Sequence, residues 1–296
     1  MQMDAIEEKW ERAGISDDFI FRKVMLKPRL CKRLLEMILQ VEIREIVYVE
    51  DEKTIDLKKN ARGVRLDVYI CDDEGTVYNV EIQTRDKKDL PKRTRYYQST
   101  IDGELLKKGV PYQKLNRCFV IFICLFDVFG AGRHVYTFEN LCKEGTSIAL
   151  GDETTRIFLN TKGTMDDVSP EMHAFLRYVG GETSEDSFVQ ELETEVQFVK
   201  LNEDWRREFM TLEDLLKDSR DEGRAEGWAK GRVEGRAEGR VEGRAEGQAK
   251  EREENILNVL MELRNVGKTA RMLKRDYAEV WKVAEKNRIP VEDRPN

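Results

Sequence analysis

The sequence contains few of the residues that zinc sites and histidine-based catalysis require. Its 296 residues include two histidines, His134 and His173, and five cysteines that form no Cys-x-x-Cys pair. Zinc prefers thiolate and imidazole ligands, so a zinc site is disfavoured, and we expect free thiols in a reducing compartment. The scarcity of histidine also argues against triads that depend on a histidine base.

Long apolar runs and an excess of basic residues are missing as well. No stretch approaches the roughly 18 to 20 consecutive apolar residues of a membrane span, and the start MQMDAIEEKW does not resemble a signal peptide. The formal net charge of −7 argues against a globally basic nucleic-acid-binding surface. We therefore expect a soluble cytoplasmic protein without membrane association, in which a local basic patch or a metal ion makes any contact with nucleic acid.

The first 130 residues alternate helical and strand patterns. Apolar residues at helical spacing predict helices over about residues 17–40, broken at Pro28. Strand-like runs follow in VEIREIVYVE, VRLDVYI and TVYNVEIQT, with a turn at DDEG, and Asp89 to Lys108 reads as an amphipathic helix. The apolar run RCFVIFICLFDVF predicts a strand covered on both faces. This order describes an α/β sandwich, to which HVYTF, TRIFL and a helical stretch from Phe188 to Lys217 are added.

The C-terminal part has a different composition. Glycine recurs every fourth residue from Gly223 to Gly247, so on a helix the Arg and Glu columns would run side by side. Two interpretations stay open, a charged linker and a helix that pairs with a second copy. The following segment predicts two short helices around a turn at Gly267, for which a plain helical hairpin is favoured over a DNA-reading helix-turn-helix. We accordingly predict three regions, residues 1–220, 221–250 and 251–296.

Acidic residues interrupt the strand pattern in RLDVYICDDEGTVYNVEIQT, residues 65–84. Strand side chains alternate, so Asp67 should lie opposite Leu66 and Val68, while Glu81 and Gln83 share one face. Three polar groups then point to one edge of the sheet.

Crowded carboxylates are costly to bury unless a cation joins them. Hard oxygen ligands suit Mg²⁺ or Mn²⁺, which would be held by Asp67, Glu81 and the main-chain carbonyl of Ile82. The alternative is a solvated sheet face on which the acids pair with arginines such as Arg65 or Arg62. Spacing alone does not decide between these two interpretations.

Four sequence blocks occur in a characteristic order, DDFIFRKVM, RLDVYICDDEGTVYNVEIQT, RTRYYQSTIDGELLKKGVPYQKL and VKLNEDWRREFMTL. Together they resemble the Rpn family of recombination-promoting nucleases, also described as putative transposases, within the PD-(D/E)xK nuclease superfamily. The similarity covers residues 16 to about 220. It implies a restriction-endonuclease-like α-β-β-β-α-β core and a metal-dependent DNA endonuclease that uses Mg²⁺ or Mn²⁺.

The resemblance also implies roles for individual residues. Asp67 and Glu81 would be the metal ligands, and Gln83 occupies the position where the wider superfamily has lysine. A neutral amide can orient water or a phosphate oxygen but supplies no positive charge. Asp18 would add a further acid from the first helix, although Ser16, Asp17 or Asp18 could instead cap that helix.

The basic helix that follows the hairpin supplies the remaining candidates. Arg93 and Arg95 are candidates for the missing cationic role, and Tyr96 or Tyr97 could contact DNA. We expect a homo-oligomer such as a dimer, since cutting two strands requires two sites and the repeat offers a helix that could pair. Two other functions stay open at this point, a DNA-binding accessory of a mobile element with weak or lost cleavage, and an oligomeric scaffold driven by the repeat.

Overall fold

The computed structural model describes residues 5–55 and 64–293, and the chain divides into two compact units, Met1–Asp214 and Leu215–Asn296. The helices of the described residues are α1 (Ala5–Arg12), α2 (Asp18–Met25), α3 (Pro28–Leu39), α4 (Leu90–Leu105), α5 (Pro170–Val179), α6 (Ser187–Leu201), α7 (Glu203–Leu263), α8 (Val266–Leu273) and α9 (Tyr277–Lys286). The strands are β1 (Ile46–Ile55), β2 (Val64–Asp72), β3 (Val77–Gln83), β4 (Cys118–Cys124), β5 (Val135–Phe138), β6 (Leu141–Cys142), β7 (Gly145–Ala149) and β8 (Thr154–Asn160).

The first unit is built on a mixed six-stranded sheet with the order β1-β2-β3-β4-β8-β5. Strands β3, β4 and β8 run parallel, and the other neighbours are antiparallel. Every residue of β4, CFVIFIC, is buried, as expected for a strand covered on both faces. A mixed α/β fold compatible with a PD-(D/E)xK-type core is therefore confirmed.

Helices cover both faces of this sheet. One hydrophobic core joins it to α1, α2, α3, α5 and α6, and a second core joins the opposite face to α4. The predicted helix break is confirmed, because α2 ends at Met25 and α3 begins with Pro28, which fits the first turn of a helix. The first strand begins at Ile46, later than VEIREIVYVE suggested, and the predicted turn after β2 is present.

That turn is fixed by Asp72, which accepts hydrogen bonds from the backbone N–H groups of Glu74 and Thr76. Gly75 has a φ of 83°, a left-handed conformation that favours glycine. The turn sets the register in which Cys71 pairs with Val77. It thereby determines which residues of β2 and β3 meet further along the hairpin.

The strict alternation predicted for β2 is wrong at Asp67. Leu66 belongs to the core beneath α4, whereas Val68 belongs to the opposite core, so these neighbours of Asp67 do not share a face. On the adjacent strand β1, Glu52 has a φ of 56°, which is unusual for a residue other than glycine. Asp67 therefore lies at an irregular point of β2, between one neighbour whose side chain packs on one face of the sheet and another whose side chain packs on the opposite face.

The second unit contains the glycine repeat and a small cluster of helices. The repeat lies within α7, and apart from the adjacent residues and the helix's own backbone, no described atom lies within 4 Å of a Cβ built on any glycine from Gly223 to Gly247. The predicted turn at Gly267 is wrong, because Gly267 lies inside α8. The chain breaks at Arg264 and Asn265 instead, and the Asn265 side chain accepts a hydrogen bond from the N–H of Lys268 and so caps α8.

Three helical segments, rather than two, therefore follow the repeat: the end of α7, then α8 and α9. Across residues 5–55 and 64–293, no helix has both the length and the apolar character that crossing a membrane requires.

Candidate active site

Asp67 and Glu81 lie where the β2–β3 ladder stops. The last paired residues are Val68 and Val80. Immediately beyond them, Glu81 Oε1 accepts a hydrogen bond from the N–H of Asp67 at 3.1 Å, and Asp67 Oδ2 accepts one from the N–H of Ile82 at 3.2 Å. Each carboxylate thus binds the backbone of the other strand, which holds the two acids side by side.

Burial makes it unfavourable for both acids of this pair to be ionised. Glu81 is 1% exposed, and Asn79 Nδ2 donates a second hydrogen bond to its Oε1 at 3.1 Å. Burial raises the pKa of Glu81, and the charge of Asp67 raises it further. Burial, followed by the charge of Asp18, likewise raises the pKa of Asp67. The pair therefore has too little positive charge around it to ionise fully at its ordinary pKa.

A solvated sheet face does not account for these acids. Glu81 is buried, and Arg65 contacts Glu52 at 3.7 Å, although its charge also lowers the pKa of Asp67. Arg62 lies outside the described residues. The alternative interpretation based on surface ion pairs therefore fails for Glu81.

Gln83 connects the acids to Arg93 on α4. Its Nε2 donates a hydrogen bond to the carbonyl of Ile82 at 2.8 Å, and its Oε1 accepts one from Arg93 Nη1 at 2.9 Å. Arg93 Nη2 lies 3.5 Å from Glu81 Oε2 and donates a hydrogen bond to the Tyr97 hydroxyl at 2.8 Å. A guanidinium thus stands beside Gln83, the position at which the family resemblance implies a lysine in the wider superfamily.

Asp18 approaches the site from α2. The helix is capped by Asp17, whose Oδ1 accepts a hydrogen bond from the N–H of Phe19 at 3.1 Å, so the cap function does not fall to Asp18. The negative charge of Asp18 raises the pKa of Asp67. Among the residues that the structure describes, Asp18 does not form with Asp67 and Glu81 a group of three acids that could hold a metal.

Two residues near the acids were not identified from the sequence. Arg22 is 1% exposed, forms an ion pair with Glu52, and donates a hydrogen bond from Nε to the carbonyl of Asp18 at 3.2 Å. Its charge lowers the pKa of Asp67. Asn79, which binds Glu81, is fully buried. A usable signal existed for Arg22, because residues four apart share a helix face and Arg22 follows Asp18 by four.

A basic groove of about 670 Å³ lies along α4 next to this site. Its lining includes four basic side chains, Arg65, Lys92, Arg93 and Arg95. Tyr96, which is 39% exposed, and Tyr97 also line it. Of the four predicted substrate-contacting residues, Arg93 and Tyr97 thus join the acids to the groove, and Arg95 and Tyr96 line the groove.

Sequence comparison identifies the family. The model of one protein family, described as PD-(D/E)XK nuclease family transposase, matches residues 16–223, more than two thirds of the chain. The chain belongs to this family. Comparison with curated proteins and with solved structures gives no significant match. The match confirms the family resemblance and indicates a function related to nucleases or transposases.

All of the acids described above lie inside the part of the chain that matches the PD-(D/E)XK nuclease family transposases. Members of this superfamily typically use divalent metal ions, and the oxygen ligands here are of the right kind. Asp67, Glu81 and the Ile82 carbonyl offer hard oxygen donors, and the upward pKa shifts of both acids indicate that a cation would be favoured between them. Within the described residues, no group of three or more His, Cys, Asp or Glu is arranged to hold a metal. A site here would therefore depend on the main-chain carbonyl and on water.

Proposed function

We propose that this protein is a metal-dependent DNA endonuclease whose catalytic centre is formed by Asp67 and Glu81. The observation that carries the proposal is their reciprocal hydrogen bonding to the opposite backbone, in a site where burial raises the pKa of both. A fold gains nothing in stability from two like charges held side by side, one buried and the other half-buried. A requirement to hold a cation gives a physical reason for keeping them.

Mg²⁺ is the proposed cation, with Mn²⁺ as an alternative, held by Asp67, Glu81 and the carbonyl of Ile82. The chemistry supplied by such a cation, when bound, is to lower the pKa of a water molecule and to offset negative charge on the phosphodiester. Gln83 positions this ligand set, because it binds the Ile82 carbonyl on one side and Arg93 on the other. Asp18 contributes a further negative charge next to Asp67.

Arg93 takes the cationic role that lysine plays elsewhere in the superfamily. Its guanidinium is always protonated and presents several donors in a fixed plane, so it can contact Gln83, Tyr97 and a phosphate oxygen together. Arg95, Tyr96 and Tyr97 extend the contact surface along the groove. These residues would hold the DNA backbone while the acids act on it.

A homo-oligomer belongs to the same proposal. Cutting both strands of a duplex requires two sites. The repeat in α7 exposes columns of arginine and glutamate side by side, with which a second copy could pair. The competing function, an oligomeric scaffold without catalysis, draws on this same helix.

Purified full-length protein incubated with supercoiled plasmid tests the proposal. Wild type should nick the plasmid in Mg²⁺ or Mn²⁺ and not in EDTA, and Asp67→Ala should not nick under any of these conditions. Asp102→Asn is a matched control, because Asp102 is also a half-buried acid whose pKa burial raises. Nicking by folded Asp67→Ala that equals wild type would place catalysis elsewhere in the chain, and no nicking by folded wild type would leave DNA binding without cleavage or a scaffold as the function.

A further inference from the structure

The three helical segments at the end of the chain share one small hydrophobic core. Ile256 and Leu260 from the end of α7 pack with Val266 and Ala270 of α8 and with Val280 of α9. The connections are short, since two residues separate α7 from α8 and three separate α8 from α9. Three short helices with such connections form a compact cluster with defined faces.

The turn between α8 and α9 has the length and backbone form of a helix-turn-helix. Lys274 ends α8 in the left-handed conformation, with φ 52° and ψ 48°, and the N–H of Arg275 donates a hydrogen bond to the carbonyl of Ala270 at 2.8 Å. Asp276 then caps α9 by accepting a hydrogen bond from the N–H of Ala278 at 3.0 Å. A turn of three or four residues between two packed helices is the hallmark of this motif.

Charge is distributed unevenly over this motif. Residues 264–275 contain five basic side chains and no acid, in a chain whose net charge is −7. The five are Arg264, Lys268, Arg271, Lys274 and Arg275, and all are exposed. None of them forms an ion pair with an acid that the structure describes. The Asp293 carboxylate accepts hydrogen bonds from the N–H groups of Val266 and Gly267, and the charge of Lys268 helps to lower its pKa. Unpaired positive charge on one short segment is complementary to a polyanion.

We propose that α8 and α9 form a helix-turn-helix that binds duplex DNA, separate from the groove beside the acids. Lys268 and Arg271 on α8 and Lys274 and Arg275 in the turn contact phosphates, and the first turns of α9 enter the major groove. Ala278 lies on the exposed side of α9, opposite the buried Val280, so it faces the bases. The inference rests on the proposed function only in taking DNA as the substrate, and it assigns the chain a second DNA contact that would direct cleavage.

Fluorescence anisotropy with a labelled DNA duplex tests this inference on the full-length chain. EDTA prevents metal-dependent cleavage, and the duplex is titrated at several salt concentrations. The first variant carries Lys268→Gln, Arg271→Gln and Arg275→Gln. Its matched control carries Lys108→Gln, Lys114→Gln and Lys143→Gln, which removes the same number of exposed charges from outside the repeat and the groove. The second variant, Ala278→Glu, keeps a good helix former at an exposed position and puts negative charge against the DNA.

The first variant should bind about tenfold or more weakly at roughly 0.1 M salt, with a salt dependence reduced by about one contact for each charge removed. Ala278→Glu should weaken binding similarly, while the lysine control should bind nearly as wild type does. Binding by both variants that equals wild type would overturn the inference, and so would an equal loss in the control. Nicking of plasmid by wild type, measured in parallel, separates the two proposals. Nicking together with DNA binding that does not depend on α8 and α9 overturns this inference alone. DNA binding that depends on α8 and α9, without nicking, overturns the endonuclease proposal alone.

Discussion

Glutamate and arginine occur together in two regions of this protein, and their surroundings give them opposite properties. In the site, Glu81 is buried and Arg93 lies 3.5 Å from it, within a set of hydrogen bonds that fixes both side chains. In the repeat of α7, the same residue types are exposed to water. Water screens charges strongly, whereas a buried carboxylate keeps most of its interaction energy. Burial, rather than residue type, therefore distinguishes the site from a solvated surface.

The largest expected effect comes from removing the charge of Glu81. Glu81→Gln keeps the shape of the side chain and can still accept from the N–H of Asp67. We expect cleavage to fall by about a thousandfold or more, since one ligand charge is lost, while the protein stays folded. Glu213→Gln, a buried acid of the same unit that pairs with Lys9, is the control and should keep cleaving. Retained cleavage by Glu81→Gln would remove Glu81 from the catalytic centre.

Arg93 should have the next largest effect. Arg93→Met removes the cation and its hydrogen bonds to Gln83 and Tyr97, so we expect cleavage to fall by about 10- to 100-fold. Adding Gln83→Lys to that variant restores a cation at the position where the wider superfamily has one, and it should recover part of the loss. Lys92→Met, an exposed neighbour in the same groove, is the control. No difference between the two methionine variants would show that Arg93 acts only as part of the basic groove.

The pH dependence of stability reports on the same two acids. The pKa values of Asp67 and Glu81 are raised in the folded state, so the folded protein keeps protons that the unfolded chain has released. Stability of the metal-free protein should therefore fall as the pH rises from about 5 to about 8. A cation competes with those protons, so Mn²⁺ should raise the Tm more near the upper end of this range.

Thermal melting in EDTA and in Mn²⁺ measures both effects. Asp67→Asn should flatten the pH slope of the metal-free protein, because one of the two interacting acids is gone. A slope that is equal in wild type and Asp67→Asn would show that other groups cause it.

The smallest effect is expected in the repeat. Gly235→Ala and Gly239→Ala meet no atom within 4 Å, so each should stabilise the helix by about 0.8 to 1.0 kcal/mol without a clash. Circular dichroism during thermal melting should show the gain, and plasmid nicking should not change. A loss of stability would instead indicate that the glycines meet a second chain at close range.

The hairpin and the repeat also differ in how far the sequence predicted them. Alternation and the DDEG turn predicted β2, β3 and the clustering of Asp67, Glu81 and Gln83, because these depend on local pattern and register. The change of face at Asp67 could not be predicted, since no local pattern marks it and it lies beside the unusual backbone of Glu52 on a neighbouring strand. Gly267 suggests a turn because glycine often ends helices, but the cap at Asn265 places the break earlier.

Contacts between distant elements are the hardest to predict from the sequence. Gln83 and Arg93 are ten residues apart and lie on a strand and a helix, so no periodicity relates them. The sequence makes Arg93 and Arg95 equal candidates, whereas in the structure Arg93 Nη2 lies 3.5 Å from Glu81 Oε2. Asn79 belongs to no motif, and only the four-residue spacing from Asp18 on one helix face points to Arg22. Such partners are selected by tertiary packing, which sequence pattern does not encode.

Direct binding of Mn²⁺ tests the central claim that Asp67 and Glu81 hold a divalent cation. Electron paramagnetic resonance of free Mn²⁺, titrated with full-length protein, counts the ions bound without depending on cleavage. Wild type and Asp102→Asn should each bind Mn²⁺ with the same affinity, and Asp67→Asn should lose that binding. Equal binding by wild type and Asp67→Asn, or no binding by folded wild type, would contradict the account.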